Sequence, residues 1–214
     1  LNQDGLQVIV AKGGLGGRGN SRKKEAESGT PGEERELLLN LKLIADVGLV
    51  GFPNAGKSTL ISKISNATPK IASYPFTTKS PILGVVRRQD EDTEFIVADI
   101  PGLIAGAHEG RGLGDRFLKH VERTRILVHV IDMAGVDGRD PLEDFRVINK
   151  ELEAFSEELS DKKQIIVANK MDLPQASGTL KTFRKRCRRK IFEVSALEAK
   201  GLEALLEEIT ENLA

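Results

Sequence analysis

Val47-Gly48-Leu49-Val50-Gly51-Phe52-Pro53-Asn54-Ala55-Gly56-Lys57-Ser58 carries an apolar run into a glycine-bounded loop, and Leu60-Ile61-Ser62-Lys63-Ile64 follows with an apolar stripe at helical spacing. The order is buried strand, tight loop, helix, and the loop matches G-x-x-x-x-G-K-[ST] in full. Gly51, Phe52, Pro53, Asn54, Ala55, Gly56, Lys57 and Ser58 therefore form a candidate phosphate cradle. Its glycines let backbone N–H groups close around phosphate oxygens, and the helix N-terminus adds the positive end of its dipole. Lys57 would neutralise β- and γ-phosphates, and the Ser58 hydroxyl can ligate Mg²⁺. A glycine-rich loop also occurs as a plain turn, so the rest of the chain has to decide between the two.

Three further apolar runs end in polar motifs. Phe95-Ile96-Val97-Ala98 leads to Asp99-Ile100-Pro101-Gly102, where the carboxylate could hold a hydrated Mg²⁺ and the Gly102 N–H could approach a γ-phosphate. Ile165-Ile166-Val167-Ala168 leads to Asn169-Lys170-Met171-Asp172, and Ile191-Phe192-Glu193-Val194 leads to Ser195-Ala196-Leu197. Open α/β sheets bind ligands beyond the carboxyl ends of their strands, so these four distant segments are expected to meet in one crevice. Asp172 then reads the base. An ionised carboxylate only accepts hydrogen bonds and suits the N1–H and N2–H donors of guanine, a pair that adenine lacks. The backbone of Ser195, Ala196 and Leu197 could contact guanine O6. GTP is favoured over ATP, and an ATP-using kinase is a distant alternative.

Between these motifs helical and strand patterns alternate. Helices are expected over 114–123, 141–159, 180–189 and 202–213, and strands over 126–132, 165–168 and 191–194. This is the rhythm of a doubly wound, mostly parallel sheet in an α/β fold. Residues 82–88 and 93–98, split by Asp90-Glu91-Asp92, read as a hairpin that adds one antiparallel edge strand.

The 214 residues allow one sizeable core plus an appendage, and 39% apolar residues suffice for a globular domain. Lysine plus arginine and aspartate plus glutamate number 32 each, so any binding to nucleic acid or membrane must use local patches. Cys187 is the single cysteine, read as inert packing in a reducing compartment, and no run approaches a membrane span. The absence of an initiator Met and of a leader suggests an internal fragment. Gly13-Gly14-Leu15-Gly16-Gly17-Arg18-Gly19 opens a glycine-dense stretch that ends at Thr30-Pro31-Gly32, too rich in glycine for a helix. It reads either as a flexible linker or as the tail of a glycine-rich packed module, with Leu37, Leu39, Leu41 and Leu43 leading into the first strand.

Taken together, residues 51–58, Tyr74-Pro75-Phe76-Thr77-Thr78, 99–102, 169–172 and 195–197 resemble the translation-factor-class GTPases. More narrowly, the string from Leu43 to Ser58, Gly102-Leu103-Ile104-Ala105-Gly106-Ala107-His108 and His120-Val121-Glu122-Arg123-Thr124-Arg125 resemble the Obg family, as does the glycine-rich opening. The resemblance implies a Ras-like six-stranded sheet over residues 44–214, preceded at 1–43 by the remnant of a truncated Obg domain and linker. It also implies a slowly hydrolysing GTP/GDP switch in assembly of the large ribosomal subunit, contacting that subunit or its precursor and rRNA. A cytoplasmic monomer is expected. The rival reading is a sensor of GTP, GDP or guanosine tetraphosphate with little turnover.

Within that frame Phe76, Thr77 and Thr78 form the mobile segment over the γ-phosphate. Thr78 is the candidate second Mg²⁺ ligand beside Ser58 and the water-mediated Asp99, with Thr77 as alternative. Leu103 stands where Ras-type enzymes carry a water-orienting glutamine, so intrinsic turnover on the order of 10⁻⁴ s⁻¹ or less is expected. The catalytic candidates are Asn54, Lys57, Thr78 and Gly102, with Asn54 considered as a ligand for K⁺ near the bridging phosphate oxygens. His108 either positions water or packs in its loop. The run Lys181, Arg184, Lys185, Arg186, Arg188, Arg189 and Lys190 is either an RNA contact or a solvated face, and Arg111, Arg116 and Lys119 carry the same ambiguity.

Overall fold

The computed structural model describes residues 7–19, 26–37, 45–66, 68–71, 82–88, 93–99 and 124–213. The chain divides into two compact units, residues 1–41 and 42–214.

In the larger unit seven strands form one sheet: β1 (Val47–Val50), β2 (Lys70–Ile71), β3 (Ile82–Arg88), β4 (Thr93–Asp99), β5 (Ile126–Asp132), β6 (Gln164–Asn169) and β7 (Ile191–Glu193). Their order is β2-β3-β4-β1-β5-β6-β7. β4, β1, β5, β6 and β7 run parallel, while β3 is antiparallel to β4 and β2 antiparallel to β3. The expected hairpin is present, but the two-residue β2 lies outside it, so β3 is not the edge. Chain order reverses around β1, and the crevice at such a reversal is where a doubly wound sheet accommodates a ligand.

Period-two alternation sorts the core onto two faces. Val47, Leu49, Val97, Ile126, Val128, Val130, Ile165 and Val167 belong to one cluster with α1 (Lys57–Ile64) and α5 (Leu202–Leu213). On α5, Leu205, Ile209 and Leu213 recur every fourth residue and are all buried, each contributing about 1.5–3 kcal/mol relative to exposure. Val50, Leu127, Ile131, Ile166 and Ala168 point the other way, towards α2 (Pro141–Phe155), α3 (Glu157–Asp161) and α4 (Ala176–Arg186). His129 follows the same alternation and is buried, its ring stacked on Phe145 at 5.3 Å. Burial, helped by the Lys57 and Arg189 charges, lowers its pKa to about 3, so it is neutral.

Two helices differ from their sequence patterns. The expected 141–159 helix is broken at Ser156, which is extended and accepts Leu159 N–H on its side chain at 3.2 Å. A serine that caps a new turn competes with helix continuation. α4 begins at Ala176 and ends at Arg186, earlier at both ends than expected, because Cys187 turns extended to bury its side chain beneath the helix. The expected 114–123 helix lies outside the described residues.

The smaller unit is held by a three-residue repeat. Glu27, Thr30 and Glu33 donate backbone N–H bonds to the carbonyls of Arg18, Leu15 and Lys12 at 3.0, 2.9 and 2.8 Å. A repeat of three is the period of polyproline II, in which only glycine fits where chains crowd. A Cβ at Gly14 would sit 1.8 Å from Thr30 O, and one at Gly17 would sit 2.0 Å from Glu27 O. The stretch is therefore packed against itself and is not a flexible linker.

Candidate functional site

The loop between β1 and α1 is shaped by glycines at both ends. Gly51 has φ 146° and its Cβ would lie 2.2 Å from Val130 O; Gly56 has φ 96° and its Cβ would lie 2.2 Å from Asn169 Nδ2. Asn54 takes φ 61°, which asparagine tolerates. Gly56 caps α1 without a side chain and no acid stands in the first turn, so nothing neutralises the positive end of the helix. By contrast, α2 is capped by Asp140 and carries Glu143 and Asp144 in its first turn.

Lys57 folds back under this loop, its Nζ donating to Gly51 O at 2.9 Å and Phe52 O at 3.1 Å. Burial lowers its pKa, and the Asp99 charge 4.0 Å away opposes that effect. A buried cation in this setting gains from any anion that enters the loop. Ser58 Oγ donates to Asp99 Oδ2 at 2.7 Å, while Asp99 Oδ1 is buried without a hydrogen-bond partner. An orphan carboxylate oxygen beside a hydroxyl is an oxygen donor set that fits a hard divalent cation such as Mg²⁺.

Asn169, at the end of β6, joins the segments. It is buried, donates through Nδ2 to Ala55 O at 2.7 Å, and accepts at Oδ1 from Ala196 N–H at 3.0 Å. One side chain thus ties the phosphate loop to the segment after β7. The Ala196 N–H assigned from sequence to a base is donated here to Asn169, because a buried amide oxygen needs a donor. Asp172 is half-buried, and its Oδ1 accepts from Ser195 Oγ at 2.6 Å; that hydroxyl in turn accepts from Glu198 N–H at 3.1 Å. This fixes the carboxylate's orientation. Met171 N–H bonds Val194 O at 3.2 Å, and Leu197 is exposed.

A fourth wall comes from the loop after β5, which the sequence reading named only as a strand. Lys170 pairs with Asp132 at 2.8 Å, and Asp132 also accepts from Ala134 and Val136 N–H. Asn54 Nδ2 donates to Asp137 Oδ2 at 3.2 Å. Arg139 lies 3.6 Å over the Phe52 ring and grips Asp144 with two hydrogen bonds. The usable signal was positional: Asp132 ends a parallel strand beside β1 and β6, where site residues gather.

The structure thus brings together residues 51–58, Asp99, 169–172 and 195–197. Phe76, Thr77, Thr78, Ile100, Pro101, Gly102, Leu103, His108, Arg111, Arg116 and Lys119 lie outside the described residues. The assembled site offers an anion cradle at one end, an oriented carboxylate at the other, and oxygen donors for a divalent cation beside the cradle.

Residues 46–170 match the family model described as 50S ribosome-binding GTPase. GTPase Obg of Bacillus pumilus is 52% identical over 223 residues, covering 100% of this chain and 52% of the relative. GTPase Obg of Desulforudis audaxviator is 55% identical over 216 residues, covering 96% and 51%. The chain spans about half the length of the curated relatives it matches. Among solved structures, Aquifex aeolicus Era bound to GDP·AlF4⁻ aligns with TM-score 0.59 and 25% identity, covering 80% of this chain and 57% of that one. The cytosolic domain of T. maritima FeoB in its GMPPNP form aligns with TM-score 0.60 and 21% identity, covering 78% and 63%, a likeness of fold. The chain belongs to the family of 50S ribosome-binding GTPases, with Obg-like sequence along its whole length.

Proposed function

We propose that this chain is the nucleotide-binding core of a slow, Mg²⁺-dependent GTPase that acts in the cytoplasm as a switch in assembly of the large ribosomal subunit. The observation that supports the reading is the Asn169 tie between Ala55 and Ala196, which links the phosphate loop to the segment whose Ser195 orients Asp172. In this reading Asp172, oriented by Ser195, accepts the guanine N1–H and N2–H, and the segment 195–197 borders the base with its Ala196 N–H held by Asn169. The bare α1 N-terminus and Lys57 receive the phosphates, which relieves the penalty of the buried ammonium. Ser58 and Asp99 would hold Mg²⁺, with Thr78 joining when its segment closes. The metal supplies charge neutralisation at the β,γ-phosphate oxygens.

With Leu103 in the glutamine position, no side chain is assigned to orient water, so a partner or cation must lower the barrier. Asn54 fits a K⁺-holding role: Asp137 engages its Nδ2, leaving the amide oxygen as a ligand. Equal turnover in NaCl and KCl at matched ionic strength would rule that role out. The same Leu103 also favours the second reading, a sensor of guanine nucleotides including guanosine tetraphosphate.

The decisive experiment compares the chain with Asp172→Asn, supplying GTP or xanthosine triphosphate with and without purified 50S particles. The substitution exchanges an acceptor for a donor. GTP use should collapse while xanthosine triphosphate is accepted, and 50S particles should stimulate turnover. Unchanged base preference would overturn the guanine assignment. Tight tetraphosphate binding with no 50S effect would transfer the conclusion to the sensor.

A further inference from the structure

Among the described residues a positively charged surface lies at the end of the sheet away from the nucleotide site. A groove of about 680 Å³ is lined by one face of α2, with Arg146 and Lys150 one helical turn apart, and by the segment Arg186, Arg188 and Arg189. A second groove of about 540 Å³ adjoins it, sharing Ser160, Gln164 and Arg189. Together they carry eight lysines and arginines against three acids, in a chain that balances 32 against 32. Gln164 opens β6 and Asn169 closes it, so five strand steps put the groove about 16 Å from the base-reading loop. A partner in the groove would leave the nucleotide crevice open.

The fold builds this concentration of charge. Phe183 and Cys187 are buried, which ends α4 at Arg186 and turns the residues on either side of Cys187 outward. Arg189 is held by Gln164 Oε1 at 3.0 Å, and Gln164 is held by Asn149 Oδ1 at 3.2 Å. Lys150, Arg186 and Arg188 are exposed and make no ion pair among the described residues, and Arg146 has only a solvent-exposed 4.0 Å contact with Glu143. Such exposed cations retain their charge for a partner.

The surface chemistry selects the partner class. Guanidinium groups in a concave groove match phosphate oxygens in bidentate geometry. Among the described residues no exposed large apolar side chain borders the groove, so it lacks the anchor that membrane-surface binding uses. Nor is there an exposed aromatic on which single-stranded bases would stack. We propose that this groove binds the phosphate backbone of double-stranded RNA, by shape and charge, on the side of the domain away from the nucleotide. The proposal rests on the ribosomal reading only in taking 50S RNA as the natural source of the duplex.

The test measures binding of a fluorescein-labelled RNA duplex of about 16 base pairs by anisotropy across a KCl series. Lys150→Glu/Arg188→Glu is compared with Lys181→Glu/Lys185→Glu, an equal change of net charge on the exposed side of α4 outside the groove. Fluorescent GDP binding reports that each variant is folded. The groove variant should weaken duplex binding at least tenfold and flatten the salt slope by about 2, with the control within about twofold of the parent. Equal losses in both variants, no loss in either, or tighter binding to phosphatidylserine vesicles than to the duplex would overturn it. Cosedimentation with 50S particles separates the two readings. Groove-dependent duplex binding without 50S association defeats the ribosomal reading alone, and 50S association unaffected by the groove variant defeats the groove alone.

Discussion

Removing the Asn169 side chain tests the tie on which the site depends. Asn169→Ala would leave Ala55 C=O and Ala196 N–H without their partner in a buried position. Each orphaned group costs about 1–3 kcal/mol, so the substitution is expected to cost about 2–6 kcal/mol in the nucleotide-free protein. At about 2–4 °C per kcal/mol for a domain of this size, that corresponds to a Tm lower by roughly 4–24 °C. The affinity for GDP should fall as well, because the phosphate loop and the segment after β7 would no longer be held in register. Asn169→Asp divides the two halves of the tie. It still offers Ala196 an acceptor but presents Ala55 O with an oxygen where a donor stood, so the phosphate loop alone is released. Thermal unfolding followed at 222 nm, with and without GDP, together with fluorescent-GDP binding, reads both effects. A Tm within about 1 °C of the parent and GDP affinity within about twofold for Asn169→Ala would refute the reasoning, since two buried bonds cannot be lost so cheaply.

Two other perturbations probe separate parts of the molecule. Gly56→Ala places a methyl 2.2 Å from Asn169 Nδ2 at φ 96°, so fluorescent-GDP binding should be lost with far-UV circular dichroism retained; parental affinity would contradict the assigned loop geometry. His129 has a folded pKa of about 3 against 6.5 unfolded, so the unfolded chain binds the extra proton between those values and stability falls as pH drops through that window. His129→Leu, of similar volume, should narrow the gap in urea-derived stability between pH 7 and pH 4.5 by roughly 2–3 kcal/mol, and an unchanged gap would show that His129 does not carry the acid sensitivity.

Much of the fold was legible because its signals are local. The apolar run before Gly51, the alternation in β3 and β4 and the four-residue spacing on α5 each report burial within a few residues of themselves. The helix boundaries were less legible. Ser156 ends α2 by capping α3, and Cys187 ends α4 because its side chain finds a core contributed by other segments. The glycine-dense opening was ambiguous for a related reason. Gly14 and Gly17 are required by carbonyls of the opposing segment, and composition alone does not show whether an opposing segment is there.

The site divides in the same way. The sequence by itself determined the residue types: a glycine-bounded loop with Lys57 and Ser58, Asp99 after one strand, and Asn169 and Asp172 after another. It also determined that these motifs end strands and so belong at one edge of a parallel sheet. Only the tertiary structure decided which of them touch. Asn169 reaches Ala55 across 114 residues, Asn54 reaches Asp137 across 83, and Ser195 sets the orientation of Asp172. A hydrogen bond needs its partners within about 3 Å. Sequence spacing places such partners only within a turn or a strand pair, whereas between distant segments the packing of the sheet brings them together.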